Sequence, residues 1–193
     1  MRIAGIVLAA GGSTRLGRPK QLVEVNGETL VARSLRRVLG CGCDPVGLVV
    51  GAEAEPIAAT GLDLGVVVLR NDGWQEGIAS SIRVAAAWAE SVACDGLLLA
   101  LCDQVHLTEV HLRNLVDAFA REERRVGSAY NGTIGAPAVF ARSDLHALGE
   151  LRGDRGAGRL LAGAPSVEWP QGAIDVDTEE DVSAHLPFRS GSS

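Results

Sequence analysis

Short apolar runs alternate with stretches of helical periodicity along most of the chain, and that alternation leaves few folds open. Residues 3–10 form a near-continuous apolar run, and 46–50, 66–69 and 96–101 repeat it. Between them, 29–39 and 78–91 carry helical periodicity, 53–60 a weaker version interrupted by Pro56, and 108–125 a long one with Thr108 placed to cap it. Runs apolar on both faces and separated by helices are the mark of parallel strands buried in an α/β sandwich. The expectation is a single α/β domain with a mostly parallel sheet and helices on both faces. Further strands are expected near 127–130, 137–141 and Ile174, with a short helix near 156–161. A last helix should open at Thr178, where Thr178-Glu179-Glu180-Asp181 reads as a capping box with Asp in place of Glu. The domain is expected to span 1–189, with 190–193 a disordered tail.

In such sheets ligands bind beyond the carboxyl ends of the strands. The first strand runs directly into Leu8-Ala9-Ala10-Gly11-Gly12-Ser13-Thr14-Arg15-Leu16-Gly17-Arg18-Pro19-Lys20. Lys20 is the only lysine; the other seventeen basic residues are arginine. A lysine is a compact charge on a flexible stem, suited to reaching a phosphate rather than forking it. Three glycines, two hydroxyls and three cations after a strand suit a loop whose backbone N–H groups wrap a polyphosphate. It is neither common phosphate loop. Gln21 stands where a Walker A loop needs Ser or Thr, and the glycine spacing does not give a dinucleotide fingerprint. Pro19 also prevents a helix from starting cleanly behind the loop.

Three further segments fall at strand ends. Asp103 follows the apolar run 97–101, where a hard carboxylate suits Mg²⁺ shared with phosphate oxygens. Asp175 and Asp177 alternate ahead of Thr178, so on a straight strand only one can face the site. Asn71-Asp72-Gly73-Trp74-Gln75-Glu76-Gly77-Ile78-Ala79-Ser80-Ser81 leads from the third strand into a helix, with Trp74 read as helix-entry packing. Residues 130–137 and 151–157 are glycine-bearing turns, and Asp154 stands among Arg152, Arg155 and Arg159.

Composition narrows the partners. A net charge of −6 argues against nucleic acid or an anionic membrane, and 4% aromatics argue against a base-stacking platform. No apolar stretch is long enough to span a bilayer and no signal-peptide pattern opens the chain, so a cytoplasmic protein is expected. Cys41, Cys43, Cys94 and Cys102 lack zinc-ligand spacing and are read as reduced structural thiols, and His106, His111, His146 and His185 form no site.

Taken together, the loop ending in Lys20, the Asp103-Gln104 segment, the Asp175–Asp181 segment, the Trp74–Ser81 segment and the two glycine turns resemble the MobA-like nucleotidyltransferases. The Ala-Ala-Gly and Pro-Lys form of the loop is closest to the molybdenum cofactor cytidylyltransferases. Val105 replaces the family's proline after Asp-Gln, and Thr178-Glu179 lacks another. The resemblance implies a Rossmann-like fold of the nucleoside-diphospho-sugar transferase type and Mg²⁺-dependent transfer of CMP from CTP to a phosphorylated acceptor such as molybdopterin. It makes Lys20, Arg15 and Asp103 the catalytic set, with Mg²⁺ on Asp103 and Asp177 and Asp175 as the weaker choice. It assigns the nucleotide to Ala9, Ala10, Gly11, Gly12, Ser13, Arg15, Lys20, Asn71, Gly77 and Ser81, and the acceptor to Gly135, Pro137, Gly153 and Asp154. A molybdoenzyme client is an implied partner. A sugar, methylerythritol or other small phosphate remains open as acceptor, and so does an oxidoreductase or maturation factor on the same fold.

Overall fold

The computed structural model describes residues 1–122, 124–175 and 178–185. In chain order the strands and helices are β1 (Ile3–Leu8), β2 (Glu24–Val25), β3 (Glu28–Thr29), α1 (Leu30–Gly40), β4 (Val46–Val50), α2 (Ala54–Asp63), β5 (Val67–Arg70), α3 (Ile78–Ser91), β6 (Gly96–Leu101), α4 (Glu109–Glu122), β7 (Val126–Tyr130), β8 (Thr133–Ala141), α5 (Leu145–Gly149), β9 (Ser166–Glu168) and α6 (Glu179–His185). Seven strands form one sheet in the order β5-β4-β1-β6-β8-β7-β9, and β2 and β3 pair separately. Strands β5, β4, β1 and β6 run parallel; β8 alone runs against its neighbours β6 and β7, and β9 is parallel to β7. This is the mostly parallel α/β sheet the alternation predicts.

Every residue of β1 and β4 is buried, which explains why they read as unbroken apolar runs. Their side chains alternate between two cores. Ile3 and Val7 join α1, α2 and α4 on one face, through Leu35, Ile57 and Leu115. Ala4, Ile6 and Leu8 join α3 and α5 on the other, through Ile82, Trp88 and Leu148. A third, small cluster of Leu16, Val23, Leu30, Val105 and Val182 ties the β1 loop to α6. No helix among the described residues is long and apolar enough to cross a membrane.

The helix starts follow their capping chemistry. Thr29 Oγ1 accepts the Ala32 N–H at the head of α1, and Thr108 Oγ1 accepts that of His111 in α4. At α6 the Asp181 carboxylate takes the Thr178 N–H at 2.8 Å while Thr178 Oγ1 takes the Asp181 N–H at 3.2 Å, so the Asp-for-Glu box forms. Pro56 lies in the first turn of α2, where its missing N–H costs no helical bond.

The C-terminal third differs from expectation. Ile174 is not in a strand. It caps a 3₁₀ turn, Pro170–Ala173, and the strand of this region is β9 at Ser166–Glu168. Pro170 sits at the first position of that turn, where its fixed φ favours it, and the turn takes up the chain before Ile174. The expected helix near 156–161 is a 3₁₀ turn, Ala157–Leu161, and β8 begins at Thr133 rather than 137. Asp177 and the tail 190–193 lie outside the described residues.

Candidate active site

Leu8 and Leu101 are in-register neighbours at the ends of β1 and β6, so the loop after one and the carboxylate after the other meet at one edge of the sheet. A cleft of about 360 Å³ opens there. Its wall is Ala9, Ala10, Gly11, Gly12, Ser13, Thr14, Lys20 and Gln21 on one side, Leu101, Cys102 and Asp103 on the floor, and Trp74, Gly77, Ile78, Ser81 and Asp154 opposite.

The loop has a fixed shape. Ser13 adopts φ +50°, unusual for a side-chain-bearing residue, and its carbonyl accepts the N–H groups of Leu16 and Gly17. Its hydroxyl accepts the Lys20 N–H at 3.0 Å. Gln21, buried in the loop's interior, gives its amide hydrogens to the carbonyls of Ala9 at 2.9 Å and Gly11 at 2.7 Å, and its Oε1 faces Ser13 Oγ at 3.3 Å. With carbonyls tied inward, the N–H groups of Gly11, Gly12, Ser13 and Thr14 donate to no backbone acceptor among the described residues. Such a run of open amides is a cradle for anionic oxygens. In the sequence Gln21 is merely a mismatch to a Walker A loop; in the structure it is the loop's main internal support.

Lys20 Nζ stands 2.6 Å from Asp103 Oδ2, and both side chains are largely buried. The other carboxylate oxygen, Asp103 Oδ1, is buried without a hydrogen-bond partner among the described residues. An orphaned carboxylate oxygen beside a phosphate-type loop fits a hard divalent cation. Among the described residues no three acidic, His or Cys side chains converge as a metal cluster, and the carboxylates lining this cleft are Asp103 and Asp154. Asp175 is exposed, and its charge, with that of Asp103, acts on Tyr130. Burial and those two carboxylates push the Tyr130 phenol up, so it stays a proton donor at neutral pH.

The opposite wall rests on the head of α3. Gly77 has φ +115°, and a Cβ there would collide with Asp154 Oδ1 and the Gly153 carbonyl. The turn at 153–154 is held in place by three contacts. Gly153 O accepts the Ala79 N–H at 3.1 Å, Gly153 N donates to Glu76 Oε1 at 3.2 Å, and Arg83 Nη1 donates to Glu76 Oε1 at 2.7 Å. The Arg83 guanidinium, with that N–H, holds the Glu76 carboxyl at about 2. Asn71 is buried behind the wall: its amide hydrogens go to Ser80 Oγ at 2.8 Å and Ser81 Oγ at 2.9 Å, and its Oδ1 takes the Gly73 N–H. Ser81 Oγ is therefore fixed as an acceptor toward Asn71, leaving its own proton for the cleft. Trp74 packs on Gly12, where a Cβ would lie 2.9 Å from the ring, and so joins the two walls.

The expected residues thus fall into groups. Ala9, Ala10, Gly11, Gly12, Ser13, Lys20, Gly77, Ser81, Asp103 and Asp154 line one cleft. Asn71 supports it from behind. Arg15 is exposed and outside its wall, and Arg18 forms a forked pair with Glu179 of α6 at 2.8 and 3.1 Å. Gly135 lines a second cavity, while Pro137 contributes its carbonyl to the buried Ser128 hydroxyl. Asp154 and Gly153, expected on the acceptor side, stand against Gly77 at the head of α3.

The MobA-like NTP transferase domain matches residues 5–169. The chain belongs to that family. It is 30% identical over 93% of its length to nicotine blue oxidoreductase of Paenarthrobacter nicotinovorans, of which it covers 91%, and 30% identical over 95% to a molybdenum cofactor guanylyltransferase of Rhodobacter capsulatus, of which it covers 94%. The crystal structure of Rv0371c from Mycobacterium tuberculosis H37Rv superposes with a TM-score of 0.83 at 30% identity, covering 97% of this chain and 98% of that one; Rv0371c has also been crystallised with manganese. The fold is that of the MobA-like nucleotidyltransferases, and nucleotide and small phosphorylated molecules are ligands in keeping with it.

Proposed function

We propose that this protein is a cytoplasmic cytidylyltransferase acting on a phosphorylated acceptor of the molybdopterin kind. An acceptor phosphate oxygen forms a bond to the α-phosphorus of CTP, the bond from that phosphorus to the bridging oxygen of the β-phosphate breaks, and pyrophosphate carries the electron pair away. No covalent enzyme intermediate is required; positioning and charge neutralisation suffice. The observation that carries the reading is the meeting of the open amides of residues 11–14 with Lys20 and Asp103 at one sheet edge. Those amides and Lys20 would hold the β- and γ-phosphates and stabilise the charge gathering on the leaving group, with Arg15 reaching in from the rim.

Asp103 Oδ1, with Asp177, would hold Mg²⁺, which supplies Lewis-acid polarisation of the phosphate oxygens when bound. Gly77 seats the turn that brings Asp154 to the wall a base would lie against, and the Ser81 proton suits a cytosine carbonyl. Cytidine over guanosine rests on the Ala-Ala-Gly and Pro-Lys form of the loop, and molybdopterin on that same resemblance; delivery of the product to a molybdoenzyme completes the reading.

The experiment is thermal stabilisation by CTP, GTP, ATP and UTP, each with and without Mg²⁺, followed by pyrophosphate release with molybdopterin. A Mg²⁺-dependent shift selective for CTP supports the proposal. A shift selective for GTP moves it to guanylyl transfer. No shift with any nucleotide, but one with a nicotinamide or flavin, overturns it in favour of a redox function like that in the name of the Paenarthrobacter relative.

A further inference from the structure

Spacing alone makes the four cysteines separate structural thiols, but the fold brings two of them into contact. Cys41 and Cys43, at the end of α1, hold their sulfurs 3.5 Å apart. All four cysteines are free and buried. Cys94 Sγ turns instead to the Ala89 carbonyl, and Cys102 lies in the floor of the active-site cleft.

The end of the helix sets the direction of the sulfur–sulfur contact. Cys41 Sγ donates to the Val38 carbonyl at 3.1 Å, one of the acceptors that α1 leaves open at its C-terminus. The proton between the two sulfurs is therefore that of Cys43. Receiving this S–H holds the Cys41 thiol below its ordinary range, while giving it, together with burial, pushes the Cys43 thiol up. Two adjacent sulfurs thus differ in chemistry: Cys41 is the readier nucleophile and Cys43 its proton-bearing neighbour.

The pair is covered but close to solvent. Cys41 and Cys43 are 5% and 6% exposed, whereas Gly42 between them and Asp44 after them are exposed, so only a small reagent can reach the sulfurs. The last turn of α1 beside them is clasped from α4. Arg113 donates to the Gly40 carbonyl at 2.8 and 3.3 Å and pairs with Glu109 Oε1 at 2.6 Å. Gly42 has φ +91°, a glycine conformation that lets the short link between the sulfurs adjust.

We propose that Cys41 and Cys43 form a peroxide-reactive dithiol that closes reversibly to an intramolecular disulfide. The site is independent of the transferase reading. The Cys41 sulfur attacks one oxygen of hydrogen peroxide, the O–O bond breaks, and the departing oxygen leaves as water with the Cys41 proton. Cys41 is then a sulfenic acid. The Cys43 sulfur attacks Cys41, the S–O bond breaks, and the hydroxyl leaves as a second water with the Cys43 proton. Peroxide gains the two electrons that the sulfurs lose. The sulfurs need only close from 3.5 Å to about 2 Å. Thiol–disulfide exchange with a small thiol restores the pair.

The test exposes the reduced, native full chain to hydrogen peroxide, counts the remaining thiols and maps the bridges by peptide mass spectrometry. Two thiols should disappear into a Cys41–Cys43 bridge while Cys94 and Cys102 stay free, and dithiothreitol should restore both. Cys43→Ala should stop at a Cys41 sulfenic acid that dimedone labels, whereas Cys41→Ala should take no label at Cys43. Arg113→Ala, which unclasps the end of α1 and leaves both sulfurs in place, should speed bridging severalfold, and it keeps the proposal testable if a cysteine variant fails to fold. Survival of all four thiols in both the parent and Arg113→Ala, at a peroxide exposure that oxidises the urea-unfolded chain, overturns the proposal. So does a bridge to Cys94, to Cys102 or to a second molecule, or equal dimedone labelling of the two cysteine variants.

Discussion

Lys20 Nζ lies 2.6 Å from Asp103 Oδ2 although 83 positions separate the two residues in the chain. The pairing follows from sheet order, since β1 and β6 are neighbours and end together. It sets the protein's one lysine against the carboxylate whose other oxygen has no partner among the described residues. Lys20→Ala should lower turnover a hundred- to a thousandfold, about 2.7–4 kcal/mol, as for removal of one preorganised donor in a water-poor site. Asp103→Asn should abolish the Mg²⁺-dependent part of the CTP thermal shift while leaving the far-ultraviolet circular dichroism intact. Near-parental turnover in Lys20→Ala would remove that residue from the chemistry.

Gln21 gives a separate prediction because it acts through the backbone. Its amide hydrogens satisfy two loop carbonyls, and only an amide can do so at that position. Gln21→Glu, which keeps the shape and removes the donors, should raise the KM for nucleotide at least tenfold with a smaller change in kcat. The cost in stability should be about 1–3 kcal/mol, the price of leaving buried carbonyls unpaired. A variant with normal KM would show that the loop holds its form without this side chain.

Gly77→Ala tests the other wall. The substitution strains a φ of +115° and drives a methyl group into Asp154 and Gly153. Stability should fall by about 1–3 kcal/mol, or about 2–4 °C in Tm per kcal/mol for a chain of this size. Backbone amide exchange at 153–154 should quicken, because the Ala79 and Glu76 contacts that hold the turn pass through this junction. Unchanged exchange there would separate the turn from the head of α3.

Much of this site is legible in the amino-acid order because it lies on strand–loop–helix units that are local in sequence. The loop at 8–20, Asp103 and the Trp74–Ser81 segment each follow a strand whose apolar run is unmistakable. The rest depends on pairing at a distance. Asn131 and Gly132, with φ of +47° and +71°, turn the chain tightly between β7 and β8; the sequence expectation at 130–137 is only a glycine-bearing turn and misses the hairpin that an Asn-Gly pair signals. Nothing local says that β8 should then cross to β6, which is what brings Gly135 and the Tyr130 hydroxyl beside Leu101. Asp154 likewise reads as a charge among arginines; only the docking of its turn on Gly77 puts it in the cleft. The strand expected at Ile174 fails because alternating aspartates are a weak β signal beside a proline-started turn.

His111 supplies a prediction about pH that is independent of the active site. It is buried in α4, stacked on Trp169 with centroids 4.8 Å apart, and its Nε2 lies 2.8 Å from Ser128 Oγ. Because the Ser128 hydroxyl donates to the Pro137 carbonyl, the network assigns the imidazole proton to Nε2, which donates to Ser128. Burial pushes the imidazole down to about 4 from its ordinary 6.5. The unfolded chain therefore binds a proton as pH falls through about 6.5 while the folded chain does not, so His111 stabilises the fold fully above that value. Its contribution should be lost progressively between about 6.5 and 4, roughly 3 kcal/mol in all, with no further loss below. Urea unfolding at several pH values checks this against His111→Phe, which keeps an aromatic ring on Trp169 but cannot titrate. The parent should lose more stability than the variant across that window, and parallel curves for the two proteins would show that acid sensitivity comes from elsewhere.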